Sequence, residues 1–309
     1  MSNTGTRVLV ALIAIPGILV LAWFGGYAWL LFIAAVQIAA LIEFSALVRA
    51  KGAEAQTGVM IATSLLLLLV FLHERLEHDI AAITGGTTWP LQWQSLLWIL
   101  LLFMLLVLLV ELFRNRPSPL LNIGATVAGV LYVGLFLACT LGIREIFSVI
   151  EFPVGRVFGT AELSAAQADQ LWNWGGWTVI ALLGSIWMCD TAAYFGGRSM
   201  GRHKLFPRVS PNKTWEGALW GFAAAVGSML LARALVLDYL SIADAITLGC
   251  IIGVLGQLGD LAESLLKRDA GVKDSSALLP GHGGVFDRFD SLIFVSPAVF
   301  LYLDFVVFA

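Results

Sequence analysis

Three observations predict an all-α, polytopic integral membrane protein with about nine transmembrane helices. Of 309 residues, 59% are hydrophobic and only 13% charged, about half the charged share of an ordinary soluble domain. Nine apolar stretches approach the roughly 20 residues that a helix needs to cross the hydrocarbon core. The basic residues between them fall almost wholly on alternate connections, as the positive-inside rule requires of a membrane-threading chain.

The stretches run over 8–24, 27–48, 57–72, 95–113, 120–143, 177–195, 214–237, 244–263 and 289–308. The first follows Arg7 and lacks a small-x-small cleavage site before the next apolar run, so it reads as a span rather than a removable leader. Arg49 and Lys51 close the second, and Arg114 and Arg116 close the fourth. A long connection, 144–176, follows the fifth. It carries Glu145, Glu151, Glu162 and Asp169 and ends in Trp172, Trp174 and Trp177, residues suited to a membrane interface. The sixth stretch runs into Gly196, Gly197 and Arg198. Ser210, Pro211, Asn212 and Thr214 suit the start of the seventh as a helix. On the eighth, Gly249, Gly253, Gly256 and Gly259 read as close helix packing.

With the N-terminus inside, the cytoplasmic connections hold fourteen basic residues: Arg7, Arg49, Lys51, Arg114, Arg116, Arg198, Arg202, Lys204, Arg208, Lys213, Lys267, Arg268, Lys273 and Arg288. The outer ones hold three, Arg75, Arg144 and Arg156, and Arg233 sits near the outer end of the seventh span. This asymmetry predicts an odd number of spans with the C-terminus outside. The chain divides into an N-terminal transmembrane region, 1–176, and a C-terminal catalytic one, 177–309, within one integrated membrane domain. A net charge of −3 gives no global attraction to nucleic acid. Cys139, Cys189 and Cys250 lie far apart in apolar segments, which argues against a disulfide framework.

On this topology Glu43, Glu111, Asp190 and Asp260 share one depth, one to two turns from the cytoplasmic end of their spans, with Asn122 and Glu216 nearly level. Ionisable groups at such depth usually face a functional cavity. For Glu43 and Glu111 the plainer expectation is a structural pairing, with Arg49 and Arg114.

The densest polar run is Asp260, Glu263, Ser264, Lys267, Arg268, Lys273, Asp274, then Pro280 to Gly284, then Asp287, Arg288, Phe289 and Asp290. If the eighth helix continues through Arg268, Asp260, Ser264 and Lys267 lie on one face and Glu263 pairs with Lys267 at i+4. Carboxylates beside phosphate-binding cations suit a magnesium nucleotide, so Asp260 and Asp287 are the expected metal ligands. Gly281, Gly283 and Gly284 leave backbone amides open to phosphate oxygens at a helix start, and His282 among them is placed to donate to a phosphate or transfer a proton. A second cluster runs through Asp190, Tyr194, Gly196, Gly197 and Arg198, then Gly201 to Lys204, then Ser210, Pro211, Asn212, Lys213, Thr214, Trp215, Glu216 and Gly217. No nucleotide-binding P-loop, dinucleotide fingerprint or zinc motif is present in the sequence.

The run Ser264-x-Leu266-Lys267-Arg268, Lys273-Asp274-x-Ser276 and Leu279-Pro280-x-His282-Gly283-Gly284-Val285-x-Asp287-Arg288-Phe289-Asp290 resembles the complete signature of the phosphatidate cytidylyltransferase (CDP-diacylglycerol synthase) family. The region of Asp190 and the segment from Ser210 to Gly217 resemble it too, so recognisable motifs cover about the last 120 residues. The resemblance implies a reaction of CTP with phosphatidic acid to give CDP-diacylglycerol and pyrophosphate, dependent on Mg2+, with K+ as a candidate second cation. It further implies a dimeric helical protein of the cell (inner) membrane whose site opens to the cytoplasm and inner leaflet. On this basis the reacting centre is assigned to Asp260, Ser264, Lys267, His282 and Asp287, with Asp260 and Asp287 on the metal. Substrate contacts are assigned to Asp190, Ser210, Asn212, Lys213, Arg268, Lys273, Arg288 and Asp290. Rival expectations are a CTP-dependent lipid kinase of the polyprenol or phytol type, a cytidylyltransferase for another lipid phosphate, and a secondary transporter, whose acids would lie nearer the midplane.

Overall fold

The computed structural model describes residues 3–85, 91–148, 152–153, 157–158, 163–276, 278 and 283–308, with the side chains of 3–11 left aside. All nine apolar stretches are helical. Helix α1 (Asn3–Phe24) turns through Gly25 into α2 (Gly26–Ala50). Then come α3 (Thr57–Phe71), α4 (His73–Thr84), α5 (Gln92–Arg114), α6 (Pro119–Glu145) and α7 (Ala165–Met200). A short antiparallel hairpin, β1 (Lys204–Phe206) and β2 (Ser210–Thr214), leads to α8 (Trp215–Leu235), α9 (Ile242–Asp269) and α10 (Phe286–Val307).

Among the described residues, seven helices by length and composition, α2 and α5 to α10, suffice to cross a membrane, and α3 with α4 makes an eighth broken by a 77° bend. Alone, the 15 residues of α3 rise only about 22 Å, short of a bilayer core of about 30 Å. The apolar part of α1 among the described side chains, Leu12–Phe24, is also shorter than a full span.

Three local readings are corrected. Helix α7 has 36 residues and starts at Ala165, so the end of the expected outer loop is helical. Ser164 caps it, accepting from the Gln167 amide. Arg144 and Glu145 are buried in the last turn of α6 rather than in a loop. There Arg144 Nε donates to the Ala22 carbonyl at 3.2 Å, and Glu145 accepts from Arg75 Nε at 3.0 Å and from the Gly26 amide at 3.1 Å. Finally, residues 210–214 form a strand; Thr214 alone caps α8, its Oγ1 accepting from the Gly217 amide at 3.2 Å.

In the C-terminal half each helix packs on the next, α7 on α8, α8 on α9 and α9 on α10, and α10 also packs on α6. Glycine makes the closest approaches. A Cβ on Gly249 would stand 2.6 Å from Val226 Cα of α8, and one on Gly259 would stand 2.9 Å from the Asp290 carbonyl of α10, so the glycine stripe on α9 serves the packing expected of it. Midway, α6 is wound as a π-helix over Gly129–Leu135. Gly134 there lies against Ser64, and its carbonyl accepts from Gln37 Nε2 at 2.7 Å.

Candidate active site

The ends of α7 and α9, the starts of α8 and α10 and strand β2 meet around one cavity, and α2 reaches it through Glu43. Asp260, Glu263, Ser264 and Lys267 occupy the last three turns of α9 as the i, i+3, i+4, i+7 spacing requires. Ser264 Oγ donates to Asp260 Oδ1 at 3.1 Å. Glu263 is fully buried, and a buried carboxylate is very costly without a partner. Lys267 Nζ supplies one at 2.5 Å and also lies 2.7 Å from Asp287 Oδ1. From β2, Lys213 Nζ reaches Asp260 Oδ2 at 2.7 Å.

Asp290, one turn into α10, completes an acidic trio. One carboxylate oxygen each from Asp260, Glu263 and Asp290 lies within 4.8 Å of the others. Three converging hard oxygens match the ligand chemistry of Mg2+. Asp287, the second ligand expected from the sequence, is engaged differently. Its Oδ1 takes the Lys267 ammonium, while Oδ2 accepts from the Ser275 amide at 3.0 Å and the Gly284 amide at 2.7 Å. It also stands in the first turn of α10, where a negative charge is favoured.

The glycine-rich segment is legible locally. Gly283 has φ 82°, a left-handed conformation open to glycine. A Cβ on Gly284 would collide with Ser275 Oγ and the Glu43 carboxylate.

Lys213, Asp260, Lys267, Asp287 and Asp290 line a cavity of about 670 Å3 together with Asp190, Tyr194, Arg198, Asn212, Gln257 and Arg288, and Glu263 lies behind this lining. Of the expected site residues, Asp190, Asn212, Lys213, Asp260, Lys267, Asp287, Arg288 and Asp290 are thus brought together. Ser264 adjoins the cavity through Asp260. Ser210 and Lys273 lie outside its lining. Arg268 turns to the backbone, donating from Nε to the Val209 carbonyl at 3.4 Å and from Nη1 to the Val272 carbonyl at 3.1 Å, so it ties the hairpin to the end of α9. His282 lies outside the described residues.

The two other deep acids part company. Glu111 makes the expected pair with Arg114 at 3.0 Å and also accepts from Asn122 Nδ2 and Gln56 Nε2, a structural network. Glu43 accepts from Ser275, Ser276 and the Val285 and Phe286 amides, where Arg49 was the expected partner; its depth in the second span was the sole sequence signal, and depth names no partner. Arg198, part of the second cluster in the sequence but given no role there, follows Gly196 and Gly197 and adds a cation to the lining.

Residues 5–306 match the model of the cytidylyltransferase family. The chain is 35% identical to the phosphatidate cytidylyltransferase of Brucella suis over 319 aligned residues, covering 100% of this chain and 96% of that protein. It is 33% identical to the enzyme of the same name from Synechocystis sp., over 96% of this chain and 95% of the relative. To that of Staphylococcus epidermidis it is 47% identical over 112 residues, 36% of this chain and 43% of the relative.

Proposed function

Because the chain belongs to the cytidylyltransferase family, we infer that it is a phosphatidate cytidylyltransferase, a membrane enzyme that joins CTP to phosphatidic acid and releases pyrophosphate. A phosphate oxygen of the lipid attacks the α-phosphorus of CTP. The new P–O bond forms as the bond to the bridging β-phosphate oxygen breaks, and that oxygen leaves with the electron pair on pyrophosphate. The lipid phosphate is already ionised near neutral pH, so no strong base is needed. The difficulty is to bring two polyanions together, which makes positioning and charge neutralisation the protein's task.

One observation carries this reading: a polar cavity at the ends of long apolar helices, in which Arg198, Lys213, Lys267 and Arg288 stand among carboxylates. Such a place is open to a soluble triphosphate and level with a lipid headgroup. Lys213, Arg288 and Arg198 are the proposed phosphate contacts, and Asn212 and Asp190 line the nucleotide side. Lys267, held between Glu263 and Asp287, is buried and presents its charge in a fixed place. Asp260, Glu263 and Asp290 would hold Mg2+, with K+ as the proposed second cation and Asp287 as the partner of Lys267. When bound, Mg2+ supplies charge neutralisation at phosphate oxygens.

Purified protein given CTP, Mg2+ and phosphatidic acid is expected to form CDP-lipid and pyrophosphate in equal amounts. Appearance of CDP and a newly phosphorylated lipid would instead identify a kinase. We further propose that the N-terminus and the cavity face the cytoplasm at the inner membrane, that the C-terminus lies outside, and that the enzyme works as a homodimer. The fourteen-to-three distribution of basic residues supports the orientation.

A further inference from the structure

We propose that Glu43, in the N-terminal half of the chain, is a positioning residue that holds Ser275, Ser276 and the start of α10 in working register. The inference rests on the cytidylyltransferase reading.

Glu43 is 4% exposed, and a buried carboxylate at that depth persists only when donors surround it. Four do. Ser275 Oγ lies 2.8 Å from Oε2 and Ser276 Oγ 2.6 Å from Oε1; the Val285 amide donates to Oε1 at 3.0 Å and the Phe286 amide to Oε2 at 2.8 Å. The first amides of a helix have no intrahelical acceptors, and α10 has no side-chain cap of its own. Glu43 fills that role from a helix more than 240 residues away in sequence. It thereby closes both ends of the segment between Ser275 and Phe286 on a single carboxylate.

The same contacts lead into the cavity. Ser275 Oγ stands 3.1 Å from Asp287 Oδ2 as well as 2.8 Å from Glu43, and its single proton can serve one carboxylate at a time. Asp287 holds Lys267, and Lys267 holds Glu263 of the acidic trio. A chain of polar contacts thus joins α2 to the proposed metal ligands. Gly284 belongs to the same fit, since a Cβ there would collide with both Ser275 Oγ and Glu43. Replacing the Glu43 carboxylate by an amide therefore leaves one oxygen to accept, sets an NH2 group against one of the two backbone amides, and lets Asp287 and Lys267 drift.

The test uses the full chain in detergent with Glu43→Gln, Glu43→Asp and Ser276→Ala, each measured for kcat, KM for CTP and thermal midpoint. Glu43→Gln keeps the shape but turns an NH2 group toward backbone donors. A displacement on the order of 1 Å can cost about 100-fold in rate, and that is the expected fall in kcat, with KM for CTP changed only a few-fold. Glu43→Asp, which keeps the charge, should recover part of the loss. Folded Glu43→Gln with the wild-type kcat, or a lowered midpoint with unchanged kinetics, would overturn the proposal. If Glu43→Gln does not fold, Ser276→Ala decides, because it leaves the carboxylate and three donors in place. A kcat lowered several-fold supports the role, and an unchanged kcat removes it. A wild type that made no CDP-lipid would sink the functional reading and this inference with it, whereas an active wild type with an equally active Glu43→Gln sinks this inference alone.

Discussion

Asp260, Asp287 and Asp290 look alike in sequence and differ in their company. Asp260 and Asp290 point into the acidic trio, and Asp287 faces Lys267 and two amides. Asp260→Asn and Asp290→Asn are therefore expected to raise the Mg2+ concentration needed for half-maximal rate and to lower kcat by about 100- to 1,000-fold, the scale on which a lost charge-stabilising group acts. Asp287→Asn should lower kcat comparably while leaving the Mg2+ midpoint in place. Titrations of rate against Mg2+ separate the cases, and an Asp287→Asn midpoint shifted like that of Asp290→Asn would return Asp287 to the metal. Much of this site was legible beforehand, because the signature gathers its chemistry within about 30 residues and helical spacing puts Asp260, Ser264 and Lys267 on one face. Glu43 was not, since its partners lie on the other side of the chain and no periodicity links them. The backbone contacts of Arg268 were not legible either, because an arginine in a signature looks the same whether or not it also meets two carbonyls.

Among the secondary elements, the α9–α10 contact is the one on which the acidic trio depends. Gly259 precedes Asp260 and abuts Phe294, the Asp290 carbonyl and Ser291. Gly259→Ala must push α10 away, and overpacking of this kind costs about 1–3 kcal/mol; activity is expected to fall at least about tenfold. Gly227 of α8 has nothing within 4 Å of a built Cβ, so Gly227→Ala should leave activity unchanged and the thermal midpoint equal or higher, as glycine in a helix is less favourable than alanine by about 0.5–1 kcal/mol. Parallel activity and melting measurements on both variants check the contrast. The helices themselves were readable from hydropathy. The hairpin was not: Ser210-Pro211-Asn212 carries the residues of a helix start, and only pairing with Lys204–Phe206 makes it a strand. Nor does composition announce the early start of α7, whose first three turns are too polar to register as a span.

Across the whole molecule, the orientation we propose rests on charge, and the hairpin offers a probe of it. Arg208 lies exposed in the turn between β1 and β2. With Cys139, Cys189 and Cys250 replaced by alanine, a single cysteine there, R208C, is expected to react with a membrane-impermeant maleimide in inside-out vesicles and to stay unlabelled in right-side-out ones; the reverse would invert the proposed topology. The broad architecture was readable because a bilayer admits few backbone solutions, but the bend between α3 and α4 was not, since an apolar run of 57–72 looks like any other short span. One last consequence belongs to α5. Of its 23 residues Phe103, Val107 and Glu111 are buried, a stripe at four-residue intervals that Leu96, Ile99 and Leu100 continue against the core, while Leu97, Leu101, Leu102, Leu105 and Leu109 are left to fatty acyl chains. Hydrocarbon accepts one oily residue as readily as another, so over generations this helix should wander freely among leucine, isoleucine, valine and phenylalanine everywhere except along that stripe, and its lettering will record the solvent far more than the trade of the protein it encloses.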